Sequence, residues 1–543
     1  MGTETVHAFE RIHEDHAALA EALNLVGATA EEAESVSMLV DPVRRWANDT
    51  LDAAAIEEAH AISPQIRASA AEMGLYGLTI PEKFGGAGFS LVGSGRIIEE
   101  IARVDRSVAV SIGLHNGLGL RGMIAYASDD LQAKFLEQMA TGELIGAFAA
   151  TEPGAGSHIA GVKTTGVMDE EDPTLLTVNG EKVYVTNGGF ADVFTVLART
   201  PGLGGARRGY SLLFLEKTME GLEVGREEDK LGIRASSTTG LTFEDLRVST
   251  DRVIGEPGKG LDLMNCILAW GRTLMSAGAL GGAKTAYEMA MSHALTRRQF
   301  GKPIAEFGQV REKLARMRAR IYAMESLVRL TGLLQARHGS DVIWTSTATK
   351  IFCSDGAVEI ADEAIQIHGG AGFIEEVGVA RILRDCRITQ IFEGANEVLR
   401  FHLAAGALPF AGTEAGAIAG LLPEALKAQG ERWDALQART RTLLSSMAKK
   451  YGPRIMEHQL RLAGVADAFT ALVALEASLL RAGHALKTAS GEEARELTEL
   501  VTYLTALLAR EAEAGLASAE DEAFETAANA LSSTEIESAR ARL

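Results

Sequence analysis

Where proline is missing decides most of what this chain can build. Only 11 of its 543 residues are proline, and inside a helix each would remove a backbone donor and clash with the preceding turn. Two long stretches carry none, from Pro303 to Pro409 and from Pro453 to the end. Both are dense in Ala, Leu, Glu and Arg, which lose little on entering a helix, so both are predicted to form long helices. In the second, Val465, Phe469, Leu472, Leu475, Leu479 and Leu486 draw one apolar stripe, with Asp467, Glu476 and Arg481 elsewhere, so something must cover it.

The texture changes between about Phe148 and Gly255. Leu175 to Val178 and Lys182 to Val185 flank Asn179-Gly180, a pair that predicts a two-residue hairpin because both residues tolerate positive φ. Tyr210 to Leu215 and Leu241 to Val248 continue in the same style. The predicted architecture is mostly α with a central β domain. It comprises an N-terminal helical domain (1–146), a middle β domain (147–256), a helical bundle (257–408) and a helical extension (409–543), the last entered through a small-residue linker around Leu408 to Ile418. Helices, then sheet, then helices excludes a doubly wound nucleotide fold.

Charge and cysteine usage narrow the function classes. With 53 Lys and Arg against 73 Asp and Glu, the net charge is −20, and no basic run offsets it, so nucleic acid is a poor partner. Cys266, Cys353 and Cys386 are far apart with no Cys-x-x-Cys pair, which argues against a disulfide framework or a structural metal and fits a reducing compartment. Met1 to Ala20 is acidic and lacks an apolar core, so no targeting segment is expected and the cytoplasm is the expected location. Charge-free stretches such as Ser107 to Leu120 fall short of the roughly 18 apolar residues of a spanning helix, which leaves peripheral membrane contact at most.

Several short motifs are ambiguous one at a time. Gly117-Leu-Gly-Leu-Arg-Gly122 matches the dinucleotide fingerprint, but its surroundings are helical, and the glycines read as points of close packing. Thr151-Glu-Pro-Gly-Ala-Gly-Ser157 is either a plain turn or a loop whose backbone donors and hydroxyls grip a planar polar ligand. Gln366-Ile-His-Gly-Gly-Ala-Gly-Phe373 is either a helix C-cap or a place where backbone meets phosphate or ribose, with His368 structural rather than catalytic. Arg297, Arg298 and Lys302 gather at the end of a helical run, suiting a pyrophosphate or simply water. Glu393, set between apolar residues and Gly394, is where desolvation would raise a carboxyl toward the pKa of a useful base.

Taken together, in this order and spacing, the motifs resemble the acyl-CoA dehydrogenase family from Gly74 to Ala404. The likeness also rests on Tyr184-Val-Thr-Asn187, Lys230-Leu-Gly-Ile-Arg234 and Ile391 to Arg400. It implies a helical N-domain, a β-barrel-like middle domain and a C-terminal four-helix bundle with FAD between them. Glu393 would be the base that removes the α-proton of an acyl-CoA while the β-carbon passes hydride to the flavin, and the backbone N–H of Glu393 would help hold the thioester oxygen. The implied cofactor contacts are Phe148, Thr151, Gly156, Ser157, Tyr184, Val185, Thr186, Arg297, Gln299, Phe300, Gln366, Gly369, Gly370, Asn396 and Glu397. The implied substrate contacts are Ser157, Gly271, Arg272 and Gly394. Some members carry the base at the position of Gly271, which cannot act here. His158, Tyr184 and Ala395 depart from the usual Asp, Trp and Thr, and Ala395 leaves one flavin hydrogen bond without its donor.

The extension resembles that of the very-long-chain members, which are homodimers. It implies a long-chain acyl-CoA substrate, electron-transfer flavoprotein as acceptor, a stripe covering surface that tetrameric members bury, and Arg481 reaching toward the flavin. An acyl-CoA oxidase, or a flavin-bound scaffold with little turnover, are the alternative functions.

Overall fold

The computed structural model describes residues 16–540 apart from 206, 208, 340–341 and 412–415, so most of the acidic start and part of the predicted linker lie outside the described residues. Eight helices come first: α1 (His16–Ala22), α2 (Ala30–Thr50), α3 (Ala53–Ala59), α4 (Pro64–Glu72), α5 (Leu91–Ala102), α6 (Arg106–Leu114), α7 (Leu120–Tyr126) and α8 (Asp129–Thr141). Side-chain caps start several of them, as where Asp105 accepts from the Val108 N–H at 2.8 Å. Among the described residues only Pro42 sits in the interior of an α-helix, while Pro64 takes the first position of α4, where no backbone donor is needed. Between α6 and α7 the chain widens into one π-turn over His115–Gly119.

The sheet follows, in strands β1 (Gly146–Ala149), β2 (Thr165–Met168), β3 (Leu175–Thr186), β4 (Val193–Arg199), β5 (Tyr210–Glu216), β6 (Leu222–Val224), β7 (Thr238–Ser249) and β8 (Val253–Ile254). Their order is β6-β7-β3-β2-β4-β5-β8, with β1 parallel to β4. One side carries a core made almost wholly of its own strands, including Leu176, Phe194, Leu213 and Phe243. The other side joins Phe148, Phe214 and Ile254 to Leu118, Phe135 and Ile267 from the helices.

The expected hairpin at Asn179-Gly180 is absent. β3 is one twelve-residue strand, and the pair sits at a shift of register against β7. Gly180 has φ +144°, and a Cβ there would lie 2.6 Å from Thr164 Oγ1. Asn179 meanwhile exchanges two hydrogen bonds with Asp245 across the strands. The positive φ that suggested a turn is used for a bulge.

The proline-poor stretches are helical as expected. α9 (Gly260–Thr296) leads through a short hairpin, β9 (Arg298–Gln299) and β10 (Lys302–Pro303), into α10 (Gly308–His338), α11 (Ile343–His368), α12 (Val379–Arg387) and α13 (Asn396–Ala407). The extension adds α14 (Lys427–Tyr451), α15 (Gln459–Ala485), α16 (Gly491–Glu520) and α17 (Glu522–Arg540). Among the described residues α15 alone is long and apolar enough to cross a membrane, yet 89% of its apolar window is buried. Its stripe is covered by α10, α11, α13, α14 and α16, which makes it a core helix. The three cysteines are unpaired.

Candidate active site

The loop between α12 and α13 turns sharply. Glu393 has φ +55° and Gly394 φ +105°, and a left-handed conformation costs a non-glycine residue about 1–2 kcal/mol. Two cations hold it there. Arg272 of α9 donates from Nε to the Glu393 carbonyl at 3.1 Å, and from a terminal nitrogen to Thr347 Oγ1 at 3.2 Å. Lys350 of α11, wholly buried, donates from Nζ to the Gly394 carbonyl at 2.7 Å and to Asn396 Oδ1 at 2.6 Å. Consecutive carbonyl oxygens of the loop are thus each gripped by a cation from a different helix.

The Glu393 carboxylate is left unspent. Its Oε2 is buried and has no hydrogen-bond partner among the described residues. Burial pushes its pKa up to about 7, against the pull of Arg272 and Lys350. Burial likewise pushes Lys350 down to about 7 and Arg272 down to about 10, each partly restored by Glu393. Gly271 forms the facing wall, where an added Cβ would lie 2.9 Å from Glu393 Oε2 and 2.4 Å from a Leu118 methyl. The fingerprint glycines pack as expected. A Cβ on Gly117 would lie 3.7 Å from the Gly271 Cα, and one on Gly119 would lie 2.9 Å from the Gly146 carbonyl. His115, in the same turn, accepts from the Gly146 N–H on Nδ1 at 2.9 Å and donates from Nε2 to the Met139 carbonyl. Its burial lowers its pKa to about 4, so it stays neutral.

The loop Thr151–Ser157 is pinned by its own glutamate. Glu152 and Ala155 exchange two backbone hydrogen bonds of 3.0 Å. The Glu152 carboxylate accepts from Lys182 Nζ at 2.8 Å and from the N–H groups of Lys163 and Thr164. Burial alone would raise this carboxyl, but the three donors together hold it at about 2. Pro153, Gly154, Gly156 and Ser157 are left exposed on the loop.

At the end of β3, Tyr184 has φ +59° and is 68% exposed, while Thr186 is half-buried. The following Asn187 exchanges two hydrogen bonds of 2.9 Å with Ser111 of α6. Phe190 and Ala235 share one apolar cluster with Trp270 and Leu274, which sets these segments beside the helix that carries Gly271 and Arg272. Ile233, also at positive φ, donates its N–H to Asp385 at 2.5 Å and so ties the Lys230–Arg234 segment to α12.

A second group of motifs lies at the far ends of α9 and α11. His368 is structural as expected, donating to the Ala364 carbonyl at 2.7 Å and stacking on His293 with ring centroids 4.4 Å apart. That stack sets the Arg297–Lys302 hairpin beside the Gln366–Phe373 turn. Arg297, Gln299, Gln366, Gly369 and Gly370 are all exposed, and a Cβ on either glycine would meet nothing within 4 Å. Phe300 is 93% exposed at φ +51°, and Phe373 is 83% exposed.

Some sequence-predicted residues point elsewhere. Phe148 and Val185 are buried, and Asn396 spends its amide internally on Lys350, Ser354 and Asp355, so none of the three has a free side chain to offer a ligand. Glu397 is exposed in the first turn of α13. Arg481 does not reach the flavin motifs. It pairs with Glu325 of α10 at 3.3 Å and lies over the Tyr322 ring, because a buried guanidinium needs the nearest carboxylate. Sequence reading missed Lys350, Thr347 and Asp355. Lys350 is the lone charge in the stretch Ile343–Cys353, which singles it out without saying what it binds.

Three family models match the chain in order: "Acyl-CoA dehydrogenase, N-terminal domain" over 33–143, "middle domain" over 147–246 and "C-terminal domain" over 258–408. "Very long-chain specific acyl-CoA dehydrogenase, mitochondrial" of Mus musculus is 36% identical over 69% of this chain, which spans only 58% of that protein's length. "Probable acyl-CoA dehydrogenase" of Bacillus subtilis is 34% identical over 80% of this chain and 78% of its own. Among solved structures, an acyl-CoA dehydrogenase complexed with FAD from Bacillus anthracis is 30% identical with a TM-score of 0.82, covering 91% of this chain and 90% of its own. Butyryl-CoA dehydrogenase from Megasphaera elsdenii is 32% identical with a TM-score of 0.65, covering 69% of this chain and 98% of its own. A 91% cover takes in most of the helices after residue 408.

Proposed function

Because the chain belongs to the acyl-CoA dehydrogenase family, we propose that it binds FAD and introduces a trans double bond between the α- and β-carbons of a fatty acyl-CoA, with Glu393 as the base. The observation that carries this reading is the buried, partnerless Oε2 of Glu393, facing Gly271 and raised toward neutral pKa. A carboxylate poised near 7 is matched to taking a weakly acidic α-proton. The residues present fit the cofactor. Tyr184 offers an exposed flat ring, Arg297 a phosphate-binding fork, and Gly369 and Gly370 backbone that nothing obstructs.

When bound, FAD supplies the acceptor for the β-hydride. The chain's own residues do the rest. Glu393 takes the α-proton at Oε2, and its backbone N–H donates to the thioester oxygen as enolate charge grows. Arg272 holds the base from behind through the Glu393 carbonyl rather than competing for its carboxylate. Leu118 and Gly271 keep water from the reacting atoms. Exposed Phe300 and Phe373 on the cofactor-binding rim support a homodimer, in which a second copy covers them. The mouse relative supports a long-chain acyl group, and a structural likeness to the electron transferring flavoprotein of Acidaminococcus fermentans supports an electron-transfer flavoprotein as acceptor.

The test is anaerobic titration of the FAD-loaded protein with palmitoyl-CoA and butyryl-CoA, following flavin absorbance. Bleaching by palmitoyl-CoA with Glu393→Gln inert but still yellow is the expected result. A Glu393→Gln variant that bleaches at the normal rate overturns the base assignment.

A further inference from the structure

The polar contacts behind Glu393 do not stop at Lys350. Its partner Asn396, 2% exposed, donates from Nδ2 to Ser354 Oγ at 2.9 Å and to Asp355 Oδ1 at 2.7 Å. The other Asp355 oxygen accepts from Arg400 at 2.7 Å. Arg400 Nε in turn donates to Asp467 Oδ1 at 2.6 Å, and Asp467 stands on α15 in the extension. Five side chains thus run without a gap from the extension to the Gly394 carbonyl.

We propose that the extension sets the position of the catalytic base through this relay of Asp467, Arg400, Asp355, Asn396 and Lys350, all acting as positioning residues. The proposal rests on the reading of Glu393 as base. Its physical ground is the conformation of the loop. Glu393 and Gly394 both hold positive φ, so the loop keeps its shape only while the groups around it dictate that shape. Lys350 can bond only through donors, which fixes the Asn396 amide with Oδ1 toward it and Nδ2 toward Asp355. Asp355 is held by Arg400, and Arg400 is divided between one carboxylate of the bundle and one of the extension. Loss of the outer carboxylate frees Arg400 to turn wholly onto Asp355, and the tension passes inward to the Gly394 carbonyl. A shift of the base by about 1 Å is enough to cost catalysis heavily, on the order of 100-fold.

The experiment uses the full FAD-loaded chain and the anaerobic bleaching rate with palmitoyl-CoA. Asp467→Asn is the first variant, since its side chain is 44% exposed and lies outside the apolar core. The expected result is a fall in rate of about three- to tenfold with KM changed less than about twofold, and recovery of most of the rate in Asp467→Glu. Combined with Asp355→Asn, the Asp467→Asn substitution should add little, because both break the same relay. Arg432→Gln breaks a surface pair with Glu513 between α14 and α16 and should leave the rate unchanged. An Asp467→Asn variant at the normal rate, or effects that multiply fully with Asp355→Asn, overturns the relay. Glu393→Gln separates the two failures. If it is inert while Asp467→Asn runs normally, only the relay falls, and if it keeps its rate, the base reading and the relay fall together.

Discussion

Gly271 and Glu393 face each other so closely that a Cβ on the glycine would lie 2.9 Å from the carboxylate Oε2. One is on the first long helix of the bundle and the other on its last loop, so the pocket closes only when the bundle is complete. The same Cβ would lie 2.4 Å from a Leu118 methyl. Gly271→Ala should therefore displace Leu118 or the base and lower kcat/KM by roughly tenfold or more, with flavin retained. Steady-state kinetics beside the visible flavin spectrum check this, and an unchanged kcat/KM would show the pocket to be roomier than drawn.

The pH dependence follows from Glu393. Its pKa is raised to about 7, and the base must be ionised to act, so kcat/KM should climb with pH through about 7 and then level. Stability runs the other way. Because the folded pKa lies above the ordinary value near 4.5, the fold loses stability as pH rises from about 4.5 through 7. Glu393→Gln removes that loss and should be more stable than the parent at pH 8 by roughly 1–2 kcal/mol. Thermal melts of the two at pH 5 and pH 8 decide it, and equal differences at both would contradict the argument.

Glu152 behaves in the opposite sense. Its carboxyl is held at about 2, below the ordinary value near 4.5, so its contribution is present above 4.5 and lost as pH falls toward 2. Glu152→Gln leaves Lys182 buried without a counter-charge, which costs about 3–5 kcal/mol. The Tm gap between variant and parent should be wide at pH 7 and narrow on acidification. The variant should also release FAD more readily, because the Thr151–Ser157 loop loses its anchor.

Ala395 is the N-cap of α13 and offers no side-chain acceptor to the first free N–H groups there. Ala395→Thr supplies one and should stabilise the protein by about 1 kcal/mol. A melt that moves down would show that the hydroxyl clashes with the neighbouring loop.

The helical frame was legible because proline and apolar periodicity act locally. The order of helices, sheet and helices follows from them directly, and so does α15. The Asn179-Gly180 pair was misread because positive φ serves a bulge as well as a turn, and only the pairing of β3 with β7 distinguishes them. Glu393 could be found from its neighbours in sequence. Lys350 could not, since its meaning comes from a carbonyl 44 residues away. Nor could the use of Asn396, whose amide faces inward only because Lys350 and Asp355 are both there to receive it. Arg481 was misplaced for the same reason, its buried partner Glu325 lying on a distant helix.

The place of α15 in the core has a consequence for how each molecule comes into being. Synthesis runs from the first residue to the last, so the loop bearing Glu393 leaves the ribosome well before the helix that carries Asp467. Every new chain passes through an interval in which α10, α11 and α13 present to water the face that α15 later covers. During that interval the bundle is sticky, its reactive loop lacks its outermost tether, and another half-made chain is a competitor for the same face. The extension therefore acts as a finishing step, delivered in cis and once per molecule.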